Sequence, residues 1–336
     1  MKYYYNMDII KFFCAIAVVL IHTTGSLPQY ELATMTNYYF YRPLLDIAVP
    51  FFFAASGFFL SLKPISYYKG YINKILTLYI SFTIFYIAFK FLLVFSDRLF
   101  LGKPFWTGIE NILKNLSLTS LLNGTIGSFH LWFLPALIIA AFLLLVCVHF
   151  SVKPSITFLI SSILYLANLT EMITFNDVFQ YGGFTKGFFY LSMGYYIGHL
   201  KPDRIKNPFI GFSLSALLYV ILTIYQSSLN VVFLMITTFY LVIASVKKPG
   251  EKSLLSRLGS YSLNIYILHI FFYQSINKIL IYFGYHEFYK LAYYYVIVTL
   301  LCIVLSVIFY EPIFKQCKRI VNQYQVKQCQ ALPVDQ

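Results

Sequence analysis

The chain has 336 residues, of which 60% are hydrophobic and only 11% are charged. Soluble domains carry about 25% charged residues, so this composition excludes an ordinary water-soluble protein and indicates one whose partner is the lipid bilayer. The formal net charge of +13 does not point to a nucleic-acid partner, because the Lys and Arg residues of membrane proteins collect in their cytoplasmic loops.

Apolar runs recur along the whole chain, and most are long enough to cross a hydrocarbon core about 30 Å thick, which takes about 20 residues. In chain order they occupy residues 9–27, 43–62, 75–95, 130–150, 155–170, 184–200, 208–225, 229–246, 259–281 and 291–313, the fifth and sixth being short. We therefore predict an all-α fold, a polytopic membrane helix bundle of about ten transmembrane helices. Residues 1–314 form one membrane domain, and residues 315–336 form a polar cytoplasmic tail.

Basic residues fall in alternate loops, as expected when both termini are cytoplasmic. The predicted inner segments contain Lys2, Lys11, Lys63, Lys69, Lys74, Lys153, Lys201, Arg204, Lys206, Lys247, Lys248, Lys252, Arg257, Lys315, Lys318, Arg319 and Lys327. The outer loop at 168–183 carries Glu171 and Asp177 and no basic residue. This pattern predicts a multi-pass protein of the cell membrane, and the Lys-, Ile-, Phe- and Tyr-rich composition indicates a bacterial plasma membrane.

The cysteines give no sign of a disulfide framework or a metal site. All five fall within predicted helices or on the inner side of the membrane, whereas disulfides form in oxidising compartments. Their spacing matches no metal-binding pattern. We therefore expect no bound metal.

The first helix supplies the strongest candidate for function, because ionisable residues at membrane depth are costly. Lys11 and His22 are eleven residues apart, which places them on one helix face and about 16 Å apart along the axis. Asp8 lies one turn from Lys11, where an ion pair forms readily. The alternatives are that His22 only packs between helices and that Lys11 only extends its amine to the interface.

The second helix combines small and polar residues with a Phe-rich run. Ser56 and Gly57 permit close backbone approach, and Asp46 lies near the predicted outer end. Small residues in membrane helices commonly mark helix packing, and Asp46 at a helix end is also consistent with contact to water. The two readings, site lining and simple packing, remain open from the sequence.

Two later segments add histidines to the candidate list. His130 and Trp132 occur in GSFHLWFLPALI at the outer entrance of the fourth run, where Trp also fits the interfacial aromatic belt. Asn264, Tyr266 and His269 occur in SYSLNIYILHIFF within the ninth run, and His269 lies about 15 Å from its cytoplasmic end. That depth is similar to the depth of His22, so both imidazoles are candidates for lining one cavity.

These segments together resemble the acyltransferase-3 family of membrane acyltransferases. The family motifs are a basic residue, ten intervening positions and a histidine on the first helix, then the Phe-rich SGF segment, HLWFL and YSLNIYILH. The resemblance covers essentially the whole chain, and family members also have ten transmembrane helices. The AVPFFFAASGFF version of the second motif also resembles the membrane domain of vancomycin-resistance serine racemases, which is tied to serine supply.

The family resemblance implies transfer of an acyl group, usually acetyl, from cytoplasmic acyl-coenzyme A to an extracytoplasmic acceptor such as a surface or lipid-linked glycan. It makes acyl-CoA a donor substrate rather than a permanently bound cofactor, and it makes His22 the catalytic histidine. Lys11 stands where the family usually has Arg, and Lys69 and Lys74 offer the basic pair thought to hold the donor, with Tyr71 where the first Arg of that pair falls. Lysine keeps the charge but loses the bidentate fork of arginine.

Two other functions remain open from the residues. A transporter or flippase also needs many helices and intramembrane polar groups, although it is expected to show inverted repeats, and none is evident. A non-catalytic partner in polysaccharide export is the second alternative. Release of free coenzyme A from acetyl-CoA distinguishes the enzyme from both.

Overall fold

The computed structural model describes residues 3–24, 42–173, 183–200, 205–285, 288 and 292–331, with the side chains of residue 292 and of residues 314–331 excluded. Among the charges used above to orient the chain, Lys2, Asp177, Lys201 and Arg204 therefore lie outside the described residues, as do the side chains of the basic residues beyond position 313.

Every regular element in the described part of the chain is a helix. The elements are α1 (Tyr5–Thr24), α2 (Ala48–Ser61), α3 (Ser66–Leu101), α4 (Phe105–Lys114), α5 (Leu118–Leu122), a 3-10 helix (Phe129–Trp132), α6 (Phe133–His149), α7 (Pro154–Leu169), α8 (Gly183–His199), α9 (Pro208–Ile224), α10 (Asn230–Lys247), α11 (Leu254–Gly259), α12 (Ser262–Tyr282) and α13 (Ala292–Ala331). The predicted all-α class is confirmed.

A helix lies over each of the ten predicted apolar runs, and within the described residues six spans meet the length and hydropathy expected for crossing a membrane. These are Tyr5–Thr24, Arg42–Ser61, Ser66–Leu101, Phe129–His149, Asn230–Lys247 and Tyr293–Ile313. α7 and α9 are apolar but shorter. The chain is thus a membrane helix bundle, while a count of ten spans and the orientation of the termini stay predictions.

Some elements differ in extent from the sequence expectation. α3 continues to Leu101, where Gly102 ends it with a left-handed φ of 65°, because glycine adopts that conformation without strain. α13 continues as far as Ala331, into the segment assigned as the tail. Residues 105–122, between the third and fourth predicted apolar runs, form the two short helices α4 and α5, and Ser117 caps α5 through a bond from the Ser120 backbone N–H.

α2 and α8 pack with their backbones in direct contact. A Cβ atom added at Gly57 would lie 1.8 Å from the carbonyl oxygen of Leu191, and one added at Gly194 would lie 1.8 Å from that of Ala54. Glycine is therefore required on both sides of this crossing, in the manner of small-residue contacts between membrane helices. The contact holds α2 rigidly, and α2 in turn lies against α1.

α1 lies inside the bundle and contacts α2, α10, α11, α12 and α13. At the beginning of α1, α11 approaches so closely that a Cβ at Gly259 would lie 1.8 Å from the carbonyl oxygen of Asp8. Near its end, the Thr23 hydroxyl lies 3.1 Å from that of Thr299, and the Tyr273 hydroxyl donates to the Thr23 carbonyl. Both ends of α1 are thereby fixed against its neighbours.

The segment between α4 and α6 returns along the middle of α3 instead of extending beyond its end. The Tyr79 hydroxyl donates to the carbonyl of Leu121, and the Lys90 amine donates to the carbonyl of Ile126 at 3.0 Å. A Cβ at Gly127 would lie 3.0 Å from the Cα of Thr83. This path carries the following residues, including His130, into the interior of the bundle.

Replacing Gly57 by Ala is expected to destabilise the protein by about 1–3 kcal/mol, because overpacking against a backbone forces the two helices apart. The matched control is Gly70→Ala, since Gly70 is also helical but has nothing within 4 Å of its added Cβ. That control should be neutral or stabilising, by up to about 1 kcal/mol. Thermal unfolding of the purified proteins in detergent measures both, and equal midpoints for the two variants would contradict the close crossing.

Candidate functional site

Three imidazole rings meet inside the bundle, one each from α1, the 3-10 helix and α12. The rings of His22 and His269 are stacked with centroids 5.1 Å apart and planes 28° apart. The ring of His130 stands edge-on to that of His269 at 5.1 Å and lies 6.5 Å from that of His22. His130 and His269 are fully buried, whereas His22 is half-buried.

His130 is held by both of its ring nitrogens. Nε2 lies 3.2 Å from the carbonyl oxygen of Ile267, and Nδ1 lies 2.9 Å from the hydroxyl of Ser128. Because a carbonyl only accepts, Nε2 carries the hydrogen and donates it, which leaves Nδ1 of the neutral ring to accept from Ser128. Both nitrogens are thus occupied, and His130 serves to link the 3-10 helix to α12.

Two tyrosines reinforce this link. The Tyr86 hydroxyl donates to the carbonyl of Ile267 at 2.7 Å and accepts from the backbone N–H of Phe271 at 3.2 Å. The Tyr266 hydroxyl donates to the backbone carbonyl of His130. The sequence interpretation missed Tyr86 and Ser128; Ser128 lies two residues before His130 and was visible in the motif, whereas Tyr86 carried no such signal.

His269 is fixed on one side only. Its Nδ1–H donates to two carbonyls of its own helix, those of Ile265 at 3.0 Å and Tyr266 at 2.8 Å. In the neutral ring Nε2 is then a bare acceptor. It is buried and has no hydrogen-bond partner among the described residues.

A cavity of about 300 Å³ leads from two lysines toward these histidines. Lys11 and Lys74 line it at one end, and Val18, Phe133 and Tyr266 line it at the other. Val18 lies four residues before His22 on α1, which is about 6 Å along the axis. The cavity therefore runs beside the helix face that carries both Lys11 and His22.

The basic end of the cavity is ordered by contacts around Lys11. Its amine lies 3.1 Å from a carboxylate oxygen of Asp8 and 4.4 Å from the centre of the Phe59 ring. Ser56 and Tyr71 line the same cavity. We refer to Lys11 and Lys74 together as the basic entrance.

Phe133 and Tyr266 line the end of the cavity that is nearer to the histidines. Their rings are 5.5 Å apart, and the Tyr266 ring lies 5.7 Å from that of His130. Both rings line the cavity, and the Tyr266 ring also lies 6.4 Å from that of His269, so Tyr266 connects the cavity wall to the histidine cluster.

Several sequence candidates lie away from this cavity. Lys69 is exposed and does not line it. Gly57 lies at the crossing of α2 and α8, so its close contact is with Leu191 and not with an open channel. Asp46 forms an ion pair with Arg42 one helical turn away.

The remaining candidates are Trp132 and Asn264. Trp132 is half-buried and packs against the hydrophobic core. Asn264 is half-buried on α12, and neither residue lines the cavity. Within the described part of the chain, no group of three or more His, Cys, Asp or Glu side chains has an arrangement suited to a metal ion.

Comparison with known proteins gives two matches. Residues 4–311 match the family model described as an acyltransferase domain of the acyltransferase-3 type. The chain is also 30% identical over 238 residues to a protein of Enterococcus faecalis named amino-acid racemase, an alignment that covers 64% of this chain and 31% of that protein. The match thus spans about a third of that relative. No solved structure matches the chain significantly.

Replacing Tyr86 by Phe is expected to destabilise the protein by about 1–3 kcal/mol, because the buried N–H of Phe271 loses the hydroxyl to which it donates. The matched control is Tyr225→Phe, since Tyr225 is 79% exposed and surface substitutions change stability by about 0.5 kcal/mol or less. Thermal unfolding in detergent compares the two, and a Tyr86 variant as stable as wild type would contradict the bridging role.

Proposed function

The chain belongs to the acyltransferase-3 family of membrane acyltransferases, and we propose that it transfers an acyl group, acetyl in the first instance, from cytoplasmic acyl-CoA to a hydroxyl of an extracytoplasmic glycan. The observation that carries this proposal is the position of His22. Its half-buried ring lies about one helical turn beyond Val18, at the end of a cavity whose other end is basic.

The basic entrance suits the donor. The phosphates of coenzyme A are anionic, and Lys11 and Lys74 supply positive charge where the cavity begins. Asp8 and the Phe59 ring hold the Lys11 amine in place. A volume of about 300 Å³ accommodates an extended pantetheine arm, while the nucleotide stays outside. In this proposal the entrance faces the cytoplasm, consistent with ten spans and both termini inside.

The chemistry at His22 needs only a base and correct placement, because a thioester is already activated. The acceptor hydroxyl oxygen attacks the thioester carbonyl, and its proton passes to a ring nitrogen of His22. The C–S bond then breaks, and the coenzyme A thiolate leaves with the proton that His22 returns. An acyl-histidine intermediate is an alternative route, in which His22 first takes the acyl group and the thiol departs before the acceptor attacks.

The acceptor is the least constrained part of the proposal. A glycan hydroxyl, on a surface polysaccharide or a lipid-linked sugar, would approach from the side of the cluster opposite the cavity. That direction agrees with the predicted outer entrance of the span that begins near His130. In this proposal the protein lies in a bacterial plasma membrane between a cytoplasmic donor and an outward-facing acceptor.

A second function is favoured by one observation. The Enterococcus faecalis relative is named an amino-acid racemase, which favours a second function in which this chain handles an amino acid across the membrane without acyl transfer. The two functions differ in one readout. Uptake of a labelled amino acid into reconstituted vesicles, with no release of coenzyme A from acetyl-CoA, would favour the second.

Replacing His22 by Ala is expected to lower the rate of coenzyme A release by about 10²–10⁴-fold, the usual contribution of a general base. The assay uses purified protein in vesicles with labelled acetyl-CoA and a glycan acceptor. His149→Ala is the matched control, because His149 is an exposed histidine at the far end of α6. A His22 variant that folds normally and keeps wild-type turnover would overturn the assignment.

Lys74→Ala is expected to raise the KM for acyl-CoA roughly two- to fivefold, as removal of a charge contact worth about 0.5–1 kcal/mol would do. Lys69→Ala is the matched control, since Lys69 lies on the same helix but outside the cavity. The difference between the two variants should shrink at high salt, which screens exposed charges. Equal KM values for both variants would contradict a donor site at the basic entrance.

A further inference from the structure

The N-terminal end of α12 meets the cavity with backbone donors that the protein leaves unsatisfied. The backbone N–H groups of Ser262, Leu263 and Asn264 have no hydrogen-bond partner among the described residues, because a helix offers its first N–H groups no carbonyl of its own. Tyr261, which precedes the helix, does not cap them with its side chain. Ser262 and Leu263 line the cavity. Groups of this kind are satisfied by side chains, by water or by a ligand.

The side chain of Ser262 adds a further donor at the same place. The residue is only 8% exposed, and it lines the cavity. Within the described part of the chain its hydroxyl has no hydrogen-bond partner. By contrast, the hydroxyls of Ser56 and Ser215 donate to carbonyls of their own helices. Ser262 therefore keeps its hydroxyl available to a ligand in the cavity.

The charges around this helix end favour an anion. The N-terminus of a helix carries about half a positive charge, and both lysines of the basic entrance line the same cavity. Asp8 also lies close, since its carbonyl oxygen contacts Gly259, but its carboxylate is paired with Lys11. Lys74 has no ion-pair partner among the described residues. The charge of Asp8 thus offsets that of Lys11, and the helix end and Lys74 leave the region positive.

We propose that the N-terminal end of α12, together with the hydroxyl of Ser262, binds a phosphate, and that in acyl-CoA this is the phosphate joined to the pantetheine arm. This inference rests on the proposed acyl transfer. The phosphate oxygens accept hydrogen bonds from the unsatisfied backbone N–H groups and from the Ser262 hydroxyl. Anions bind readily at helix N-termini because the N–H groups and the helix dipole act together there.

The difference in burial between Ser262 and Lys74 selects which phosphate binds here. Ser262 is buried and lies one turn before Tyr266, about 6 Å along α12. Lys74 is exposed and therefore suits the outer phosphates of the nucleotide. The phosphate nearest the arm is the one that reaches Ser262, and from there the arm continues past Tyr266 toward the histidines.

Ligands that differ in phosphate test the site directly. Isothermal titration calorimetry of the purified protein in detergent compares pantetheine, 4′-phosphopantetheine and coenzyme A. We expect wild type to bind 4′-phosphopantetheine about tenfold more tightly than pantetheine. Ser262→Ala should weaken binding of 4′-phosphopantetheine and of coenzyme A by about tenfold and leave pantetheine unchanged. Ser215→Ala is the matched control, because Ser215 is 4% exposed but does not line the cavity.

A second pair of variants tests the site without a ligand. Ser262→Asp places a carboxylate at the first position of α12, where the helix dipole stabilises negative charge. Ser262→Asn has nearly the same size and no charge. We expect the Asp variant to unfold at a higher temperature than the Asn variant, and to bind 4′-phosphopantetheine no better than pantetheine because the carboxylate repels the phosphate.

The results separate this site from the proposed acyl transfer. A preference for 4′-phosphopantetheine that Ser262→Ala removes supports the phosphate site. The same result from a protein that releases no coenzyme A from acetyl-CoA would keep the site and reject acyl transfer. Coenzyme A release combined with equal affinities of wild type and Ser262→Ala for 4′-phosphopantetheine would reject the site and keep acyl transfer. An Asp variant that is less stable than the Asn variant would also overturn the site.

Discussion

The arrangement of the site depends on the two hydrogen bonds that the carbonyl oxygen of Ile267 accepts. A bilayer core offers no water to a buried polar group, so each one must be satisfied by the protein. This carbonyl accepts from His130 and from Tyr86 at once, and it thereby ties the 3-10 helix and α3 to α12. Hydrogen bonds of this kind are directional, so the three elements are fixed in register as well as in contact.

The hydrogen bonds of the ring nitrogens distinguish the histidines of the cluster from one another. His130 uses both ring nitrogens to hold the scaffold and has none left for chemistry. His269 uses one and keeps one. His22 is half-buried and lies four residues beyond Val18, which lines the cavity. The three rings of the cluster therefore differ in how firmly their nitrogens are held, with both nitrogens of His130 and one nitrogen of His269 bonded to neighbouring groups.

The sequence predicted the helices well because apolar runs of this length have few alternative structures in lipid. It also predicted that Lys11 and His22 share a face of α1, since helical periodicity alone decides this. It could not separate Lys69 from Lys74, which lie on one helix but differ in which neighbour they meet. Tyr86 could not be predicted for another reason. It is one of 31 tyrosines, and its role comes from hydrogen bonds to two backbone groups more than 180 residues away in the chain.

The two lysines of the basic entrance and the aromatic pair of Phe133 and Tyr266 line opposite ends of the cavity. Lysines at the end of the cavity nearest the histidines would hold water there, whereas Phe133 and Tyr266 present apolar rings. Tyr266 is not free to move independently, because its hydroxyl is bound to the backbone of His130. A displacement of the Tyr266 ring would therefore also displace the backbone of His130 and, through α12, His269.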